Sequence, residues 1–257
     1  MRRVWLRSVR RWREAFDDNR LWFGFVQLST WCALPPESLP LMREAQLAAL
    51  ALDQVAMATN ADHGMGCSIH PAAKQYCSER LATAALAMIY KRNLTWRSPT
   101  YASAIEAVAA RGPRGVSSAR PLTVQLLVSL DGVGDEGLHT IYPHNYRSPN
   151  YGSGRPAISV DCTATFPVNQ TANASMADQC AWASLHVRSA GWLNATVSAV
   201  GQKLLLTAQL PAGAMVTVAP EIVGSAYAFG PIPMMSAYDK ATGLPVLPWN
   251  QSLGENM

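Results

Sequence analysis

The residues Leu21-Trp22-Phe23-Gly24-Phe25-Val26-Gln27-Leu28 form a short, almost wholly apolar run bounded by polar residues. Such a run is typical of a parallel strand that is buried on both faces. A second buried strand is predicted at residues 54–59, and apolar residues recur at helical spacing over residues 3–18 and 41–52. The order helix, strand, helix, strand predicts an α/β arrangement in the N-terminal part of the chain.

The C-terminal part has a different pattern. After a connection over residues 110–121 that is rich in Gly, Pro, Arg and Ser, short β-branched runs alternate with turn residues. These runs predict an antiparallel β-sandwich, and they lie at residues 123–130, 157–162, 181–187, 193–200, 203–210 and 215–219. The predicted fold class is therefore an α/β domain over residues 1–110, with a parallel sheet and flanking helices, followed by a β-sandwich domain over residues 120–250.

Composition and charge exclude several classes of protein. Of the 257 residues, 49% are hydrophobic and 15% are charged, which favours a globular core over a disordered chain. The first twenty residues hold seven arginines and account for the whole net charge of +4. Because basic and acidic residues are equal in number in the rest of the chain, no basic face that could bind nucleic acid is expected. The apolar stretches are too short or too interrupted for a membrane helix of about 20 residues, so no transmembrane segment is expected.

Features that bear on the cellular compartment disagree. The N-terminus lacks the apolar region and cleavage site of a signal peptide. In contrast, Cys162 and Cys180 bracket a Pro- and Asn-rich loop and are the best disulfide candidate among five cysteines. Five Asn-x-Ser/Thr sequons suggest a glycoprotein with a secretory history, although a Ser/Thr-rich β region also generates such triplets; they begin at Asn93, Asn169, Asn173, Asn194 and Asn250.

Ionisable side chains are concentrated in the Gly-rich loop over residues 62–71, between the second strand and a helix predicted to open at Pro71. There His70 would lie just before a helix N-terminus, whose partial positive charge keeps an imidazole neutral, as a general base requires. Asp62 would turn back to accept the other ring N–H. These two residues are the predicted catalytic pair, and the alternative is a histidine with only a structural role at the helix end.

A second alternative is a zinc site, because His63, Cys67, His70 and Cys77 are close in sequence, although none of the usual zinc spacings fits. Cys67 is expected instead to pack against Cys77 or to form a disulfide with it. Acyl transfer also needs a nucleophile, and the chain has no Gly-x-Ser-x-Gly motif. No metal or cofactor is expected.

The run Ser68-Ile69-His70-Pro71-Ala72-Ala73-Lys74-Gln75, followed by Arg80-Leu81-Ala82, resembles a block of the sialate O-acetylesterases, which are carbohydrate esterases of the SGNH-hydrolase type. Other stretches resemble the same family in the same order, over about residues 12–250. They are Trp12-Arg13-Glu14-Ala15-Phe16, Phe23-Gly24-Phe25-Val26-Gln27-Leu28, Leu41-Met42-Arg43-Glu44-Ala45-Gln46, Asn93-Leu94-Thr95 and the closing segment from Tyr238 to Trp249.

The resemblance implies a partial SGNH-hydrolase-like parallel sheet and an esterase that removes O-acetyl groups from sialic acid or a related sugar, in a secreted or lysosomal setting. His70 matches the family's catalytic histidine, and Asp62 matches its acidic partner approximately. The family's nucleophile lies in a Gly-Gln-Ser-Asn-Met motif upstream of the helix at which this chain begins, so an upstream half of the esterase domain is expected and the chain alone is expected to be inactive. The alternative function is a non-catalytic carbohydrate-binding or interaction protein derived from the same scaffold.

Overall fold

A computed structural model gives the structure of the chain and describes residues 2–32, 35–107, 122–144, 162, 180–211 and 220–254. The described residues form three α-helices and thirteen strands. The predicted domain connection over residues 110–121, the predicted strand at 215–219 and most of the one at 157–162 lie outside the described residues, as do the sequons at Asn169 and Asn173.

The N-terminal unit, residues 2–88, is built around two parallel strands. Its elements are α1 (Arg2–Ala15), β1 (Phe23–Val26), α2 (Ser38–Leu47), a 3-10 turn (Ala48–Ala51), β2 (Val55–Ala58), a second 3-10 turn (Ala61–His63) and α3 (Gln75–Met88). Strands β1 and β2 pair from Phe23 with Val55 to Val26 with Ala58. All four residues of β2 are buried, as the apolar composition of the run predicts.

Helix α1 packs on these strands through one face. Val9 is fully buried in the core, and the Trp5 ring stacks on Phe25 of β1 with 5.4 Å between ring centroids. Arg7, which lies between Trp5 and Val9 in the sequence, is exposed on the other side of the helix, as the helical period requires.

The rest of the chain is dominated by one seven-stranded sheet in which every neighbouring pair is antiparallel. Its strands, in spatial order, are β13 (Trp249–Ser252), β10 (Ile222–Tyr227), β7 (Ala183–Val187), β8 (Gly191–Val200), β9 (Lys203–Gln209), β4 (Thr123–Asp131) and β3 (Thr100–Ala107). Two short pairs complete the described strands: β5 (Leu138–Thr140) with β12 (Ala237–Asp239), and β6 (Cys180–Ala181) with β11 (Ile232–Pro233).

Alternation of burial along the central strands explains why the sheet forms. In β4, Val124, Leu126 and Val128 are buried, and the residues between them are partly exposed. The same period of two recurs in β7 and β9. Successive side chains on a strand point to opposite faces, so this pattern buries one face of an antiparallel sheet. The buried face belongs to the same apolar core as Val9, Phe25 and Met57 of the N-terminal unit.

The predicted fold class is wrong. The structure is mostly β, with a large antiparallel sheet, and β1 and β2 do not extend into the predicted SGNH-hydrolase-like parallel sheet with flanking helices. Among the described residues, seven of the eleven strands after α3 join one sheet and the other four form two short pairs, instead of the two facing sheets of a sandwich. Local patterns located several of these strands correctly, but they carry no information on which strands pair.

Arg43 of α2 connects the N-terminal unit to the segment between β10 and β11. The side chain is 3% exposed, and its guanidinium donates hydrogen bonds to the carbonyl oxygens of Leu28 (2.8 Å), Ser29 (2.6 Å), Gly230 (2.7 Å) and Pro231 (3.0 Å). Burial lowers the pKa of Arg43 to about 9, so the side chain stays charged at neutral pH. One buried cation thus satisfies carbonyl groups from two distant parts of the chain.

Candidate functional site

The carboxyl ends of β1 and β2 lie side by side, because the two strands run in parallel. The loops that follow them are joined in three ways. A disulfide links Cys32 to Cys67, the Met65 N–H donates to Thr30 Oγ1 at 3.1 Å, and the Ser29 hydroxyl donates to the Asn60 carbonyl at 3.4 Å. The loop that carries the predicted catalytic residues is therefore fixed to its neighbour.

Gly64 allows the loop after β2 to pack closely against Thr30 in the loop after β1. A Cβ atom at this position would lie 2.1 Å from Thr30 Cγ2 and 2.3 Å from Thr30 Oγ1. No side chain fits at such distances, so glycine is required by close packing here.

Asp62, in the 3-10 turn after β2, is completely buried. Its carboxylate accepts two hydrogen bonds from the Arg80 guanidinium on α3, at 2.7 and 2.8 Å, and one from the Tyr238 hydroxyl at 3.2 Å. Arg80 also donates to the Thr59 carbonyl at 2.8 Å. Burial by itself would raise the pKa of Asp62, but the hydrogen bonds and charge of Arg80 outweigh it and hold that pKa below its usual value. Asp62 is therefore a buried carboxylate anchored by a cation.

His63 lies against this ion pair. Its Nε2 atom is 3.4 Å from Asp62 Oδ2, and its ring stacks on Tyr76 and on His144, with centroid distances of 3.4 and 4.0 Å. Burial lowers the pKa of His63 to about 4, with further lowering from His144 and Arg80 and an opposing effect of Asp62. The pKa of His144 is also lowered by burial. Both rings are thus neutral near pH 7.

His70 occupies a different position. It is exposed, and its backbone N–H donates to Ser68 Oγ at 3.3 Å. Helix α3 begins at Gln75, so the predicted helix start at Pro71 is wrong and the argument that a helix end keeps His70 neutral does not hold. Among the described residues, the contacts of the Asp62 carboxylate are with Arg80, His63 and Tyr238. Pairing of Asp62 with His70 stays a prediction.

Asp62, His63, Arg80, His144 and Tyr238 form one cluster at the carboxyl end of β2. The sequence did not identify three of these residues, namely Arg80, Tyr238 and His144. Arg80 and Tyr238 belong to stretches that resemble the esterase family, but nothing in those stretches indicates a contact with Asp62. Tyr238 is separated from Asp62 by 176 residues. Burial and the Asp62 charge raise the pKa of Tyr238, so its hydroxyl stays protonated and serves as a hydrogen-bond donor.

The cysteine arrangement differs in part from expectation. The predicted disulfide between Cys162 and Cys180 is confirmed, whereas a disulfide of Cys67 with Cys77 is wrong, because Cys67 pairs with Cys32 and Cys77 is a buried free thiol. The zinc alternative thereby loses the Cys67 thiolate. Disulfides persist in oxidising compartments such as the extracellular space. Within the part of the chain that the structure describes, no helix combines the length and apolar character needed to cross a membrane.

Fold and site together describe a small parallel β–α unit fixed to a large antiparallel sheet, with a buried, charged cluster at the carboxyl ends of the parallel strands. A crystal structure of a carbohydrate acetylesterase from Xanthomonas citri is similar in fold: it matches 97% of this chain with a TM-score of 0.62 and 19% sequence identity. This chain spans 45% of that enzyme's length. Neither a protein-family model nor a curated protein sequence matches the chain.

Proposed function

We propose that this chain is part of a carbohydrate O-acetylesterase that removes acetyl groups from sialic acid or a related sugar. The observation that carries the proposal is the fold likeness over 97% of the chain to a carbohydrate acetylesterase. The resemblance of residues 68–75 to the esterase block supports it independently, since it rests on sequence. The two disulfides and the sequons at Asn93, Asn194 and Asn250 support a secreted or lysosomal protein.

His70 is assigned the proton transfer. The side chain is exposed and belongs to a loop held by the Cys32–Cys67 disulfide, so it is accessible to substrate from a fixed backbone. In this proposal, Asp62 orients His70 and the loop that carries it. Arg80 keeps the Asp62 carboxylate ionised. The nucleophile is a serine of a Gly-Gln-Ser-Asn-Met segment, as the resemblance implies, in an upstream half of the esterase domain.

The proposed reaction is a two-step acyl transfer. The serine hydroxyl attacks the acetyl carbonyl carbon while His70 takes its proton, and His70 then returns that proton to the sugar oxygen as the ester bond breaks. Water attacks the acetyl-serine carbonyl in the second step while His70 takes a proton from it, and His70 then gives that proton to the serine oxygen as the acetyl–serine bond breaks and acetate leaves. In both steps the imidazole must start neutral, because only the neutral ring accepts a proton.

Acetate release from an O-acetylated sialic acid and from acetylxylan, measured on the natural gene product that contains these residues, tests the proposal. His70→Ala is expected to lower kcat by a factor of about 10²–10⁴, as for loss of a general base. His186→Ala serves as the matched control, because His186 lies on β7 and stacks on Trp192. Release of acetate at equal rates by the wild type and His70→Ala, or no release from either substrate, contradicts the proposal. Sugar binding without turnover favours the non-catalytic alternative.

A further inference from the structure

His70 lies midway between two points at which its loop is attached to the rest of the fold. Cys67, three residues before it, forms the disulfide with Cys32. Ala73, three residues after it, accepts a hydrogen bond at 3.3 Å through its carbonyl oxygen from Nδ2 of Asn60. The first attachment is covalent, and the second depends on the side chain of Asn60.

Asn60 is itself held in place at the carboxyl end of β2. The residue is 2% exposed. Its carbonyl oxygen accepts hydrogen bonds from the His63 N–H at 3.2 Å, across the 3-10 turn that contains Asp62, and from the Ser29 hydroxyl at 3.4 Å. Because the residue is buried and its backbone is bonded to two segments, Asn60 presents its side-chain N–H to the Ala73 carbonyl from a fixed position.

The segment that joins His70 to Ala73 is short and stiff. Pro71 follows His70 directly and is buried. The proline ring fixes its own φ angle, and it restricts the residue before it to extended conformations. A constraint on the position of Ala73 is therefore transmitted through the backbone to His70.

This constraint bears on the proposed proton transfer. The imidazole must lie within hydrogen-bond reach of the hydroxyl that it deprotonates, and a displacement of about 1 Å in such a group can lower the rate about 100-fold. Since the His70 side chain is exposed, its placement depends mainly on the backbone that carries it.

We propose that Asn60 is a positioning residue, which keeps the loop of His70 attached to the turn of Asp62 by holding the Ala73 carbonyl. The consequence for ester hydrolysis rests on the proposed function, in which His70 transfers the proton. The effect of Asn60 on the loop does not depend on catalysis and is measured without substrate.

Amide hydrogen exchange in the natural gene product tests the attachment, with Asn60→Leu compared with Gln27→Met. Gln27 is a matched control because it is 1% exposed and its Nε2 also donates to a carbonyl oxygen at 3.3 Å, that of Arg43 on α2. Each variant replaces a buried amide by an apolar side chain of similar size, so both are expected to lower stability. Exchange over residues 68–74 is expected to become about tenfold faster in Asn60→Leu alone, the scale of one lost hydrogen bond.

The kinetics of acetate release test the consequence for the reaction. Asn60→Leu is expected to lower kcat about 10- to 100-fold with little change in KM, because the catalytic histidine is displaced. Gln27→Met is expected to leave kcat and KM unchanged, so a loss of stability alone does not reproduce the effect. Asn60→Ser, whose side chain is too short to make the same bond, serves in both measurements if Asn60→Leu does not fold.

The outcomes separate the two proposals. Equal exchange over residues 68–74 in the wild type and the Asn60 variant, or an equal rise in Gln27→Met, overturns the role of Asn60. A kcat that the Asn60 variant leaves unchanged, or that Gln27→Met lowers as much, overturns it too. If the wild type releases no acetate, the esterase proposal fails, whereas exchange that depends on Asn60 still supports its part in holding the loop.

Discussion

Asp62 and Arg80 form a bidentate pair, with Nη1 to Oδ1 at 2.7 Å and Nη2 to Oδ2 at 2.8 Å. Asp62 is completely buried, and the Arg80 side chain is 11% exposed. The pair holds the loop after β2 against α3, so the position of the candidate site depends on it. A buried pair of this kind is sensitive to removal of one partner, because the other charge is left buried and uncompensated.

Replacement Arg80→Met is expected to lower the free energy of unfolding by about 3–5 kcal/mol, because it leaves the Asp62 carboxylate buried without its cation. Urea denaturation measures the change. The matched control is Arg188→Met, which removes a bidentate pair with Glu221 in which both side chains are 54% exposed. Arg188→Met is expected to lower the free energy of unfolding far less than Arg80→Met, because water screens exposed ion pairs. Equal losses in the two variants contradict this account of the pair.

Stability is expected to fall as the pH drops from about 6.5 to about 4. His63 takes up a proton near its ordinary pKa of 6.5 in the unfolded chain but only near 4 in the fold. Between these values the unfolded state binds more protons, so acid favours unfolding. The lowered pKa of Asp62 acts in the same direction below its ordinary value of 3.8.

The variant His63→Phe isolates the first of these contributions, because it keeps a ring for stacking on Tyr76 and removes the titrating group. Urea midpoints measured from pH 7 to pH 4 are expected to vary less with pH in His63→Phe than in the wild type. Part of the slope is expected to remain, since the pKa of His144 is also lowered. Identical slopes for the two proteins contradict the assignment to His63.

The disulfide between Cys32 and Cys67 is expected to stabilise the fold by restricting the unfolded chain. The two cysteines are 35 residues apart in sequence. For a loop of this length, the chain-entropy relation predicts that the double variant Cys32→Ser/Cys67→Ser lowers the free energy of unfolding by about 4 kcal/mol. The matched control is Cys162→Ser/Cys180→Ser, with a separation of 18 residues and an expected loss of about 3 kcal/mol. Peptide mapping without reduction is expected to find Cys77 as a free thiol, and a Cys67–Cys77 link contradicts the structure.

Replacement Gly64→Ala is expected to destabilise the protein by about 1–3 kcal/mol, because the added methyl group overlaps Thr30 and forces the two loops apart. Gly254→Ala is the control, since a Cβ there meets no atom within 4 Å. Thermal unfolding of both variants measures the difference. If the overlap with Thr30 is the cause, Thr30→Ser combined with Gly64→Ala recovers part of the loss, and an unchanged loss in that double variant contradicts it.

Some of the site was predictable from the sequence and some was not. The clustering of ionisable residues in one Gly-rich loop singles out Asp62, which the structure places in a buried ion pair, and His70, whose catalytic role stays a proposal. The link between Cys162 and Cys180 follows from two cysteines that bracket one loop. The contact between Tyr238 and Asp62 spans 176 residues and leaves no local signal. Likewise, the pairing of Cys32 with Cys67 depends on β1 and β2 lying side by side, which no spacing of cysteines indicates.

The sequence by itself located part of the helices and strands, since the period of apolar residues reflects side-chain geometry within a few residues, but it missed β3, β10 and β13. It located β1, β2, β4, β8 and β9 in this way. Only the tertiary structure decided that seven of the strands after α3 join one antiparallel sheet and that Asp62 contacts Arg80 and Tyr238. The physical reason is that backbone hydrogen bonds between strands are alike for almost any residue, so the choice of partner strand depends on the core that all of them bury together.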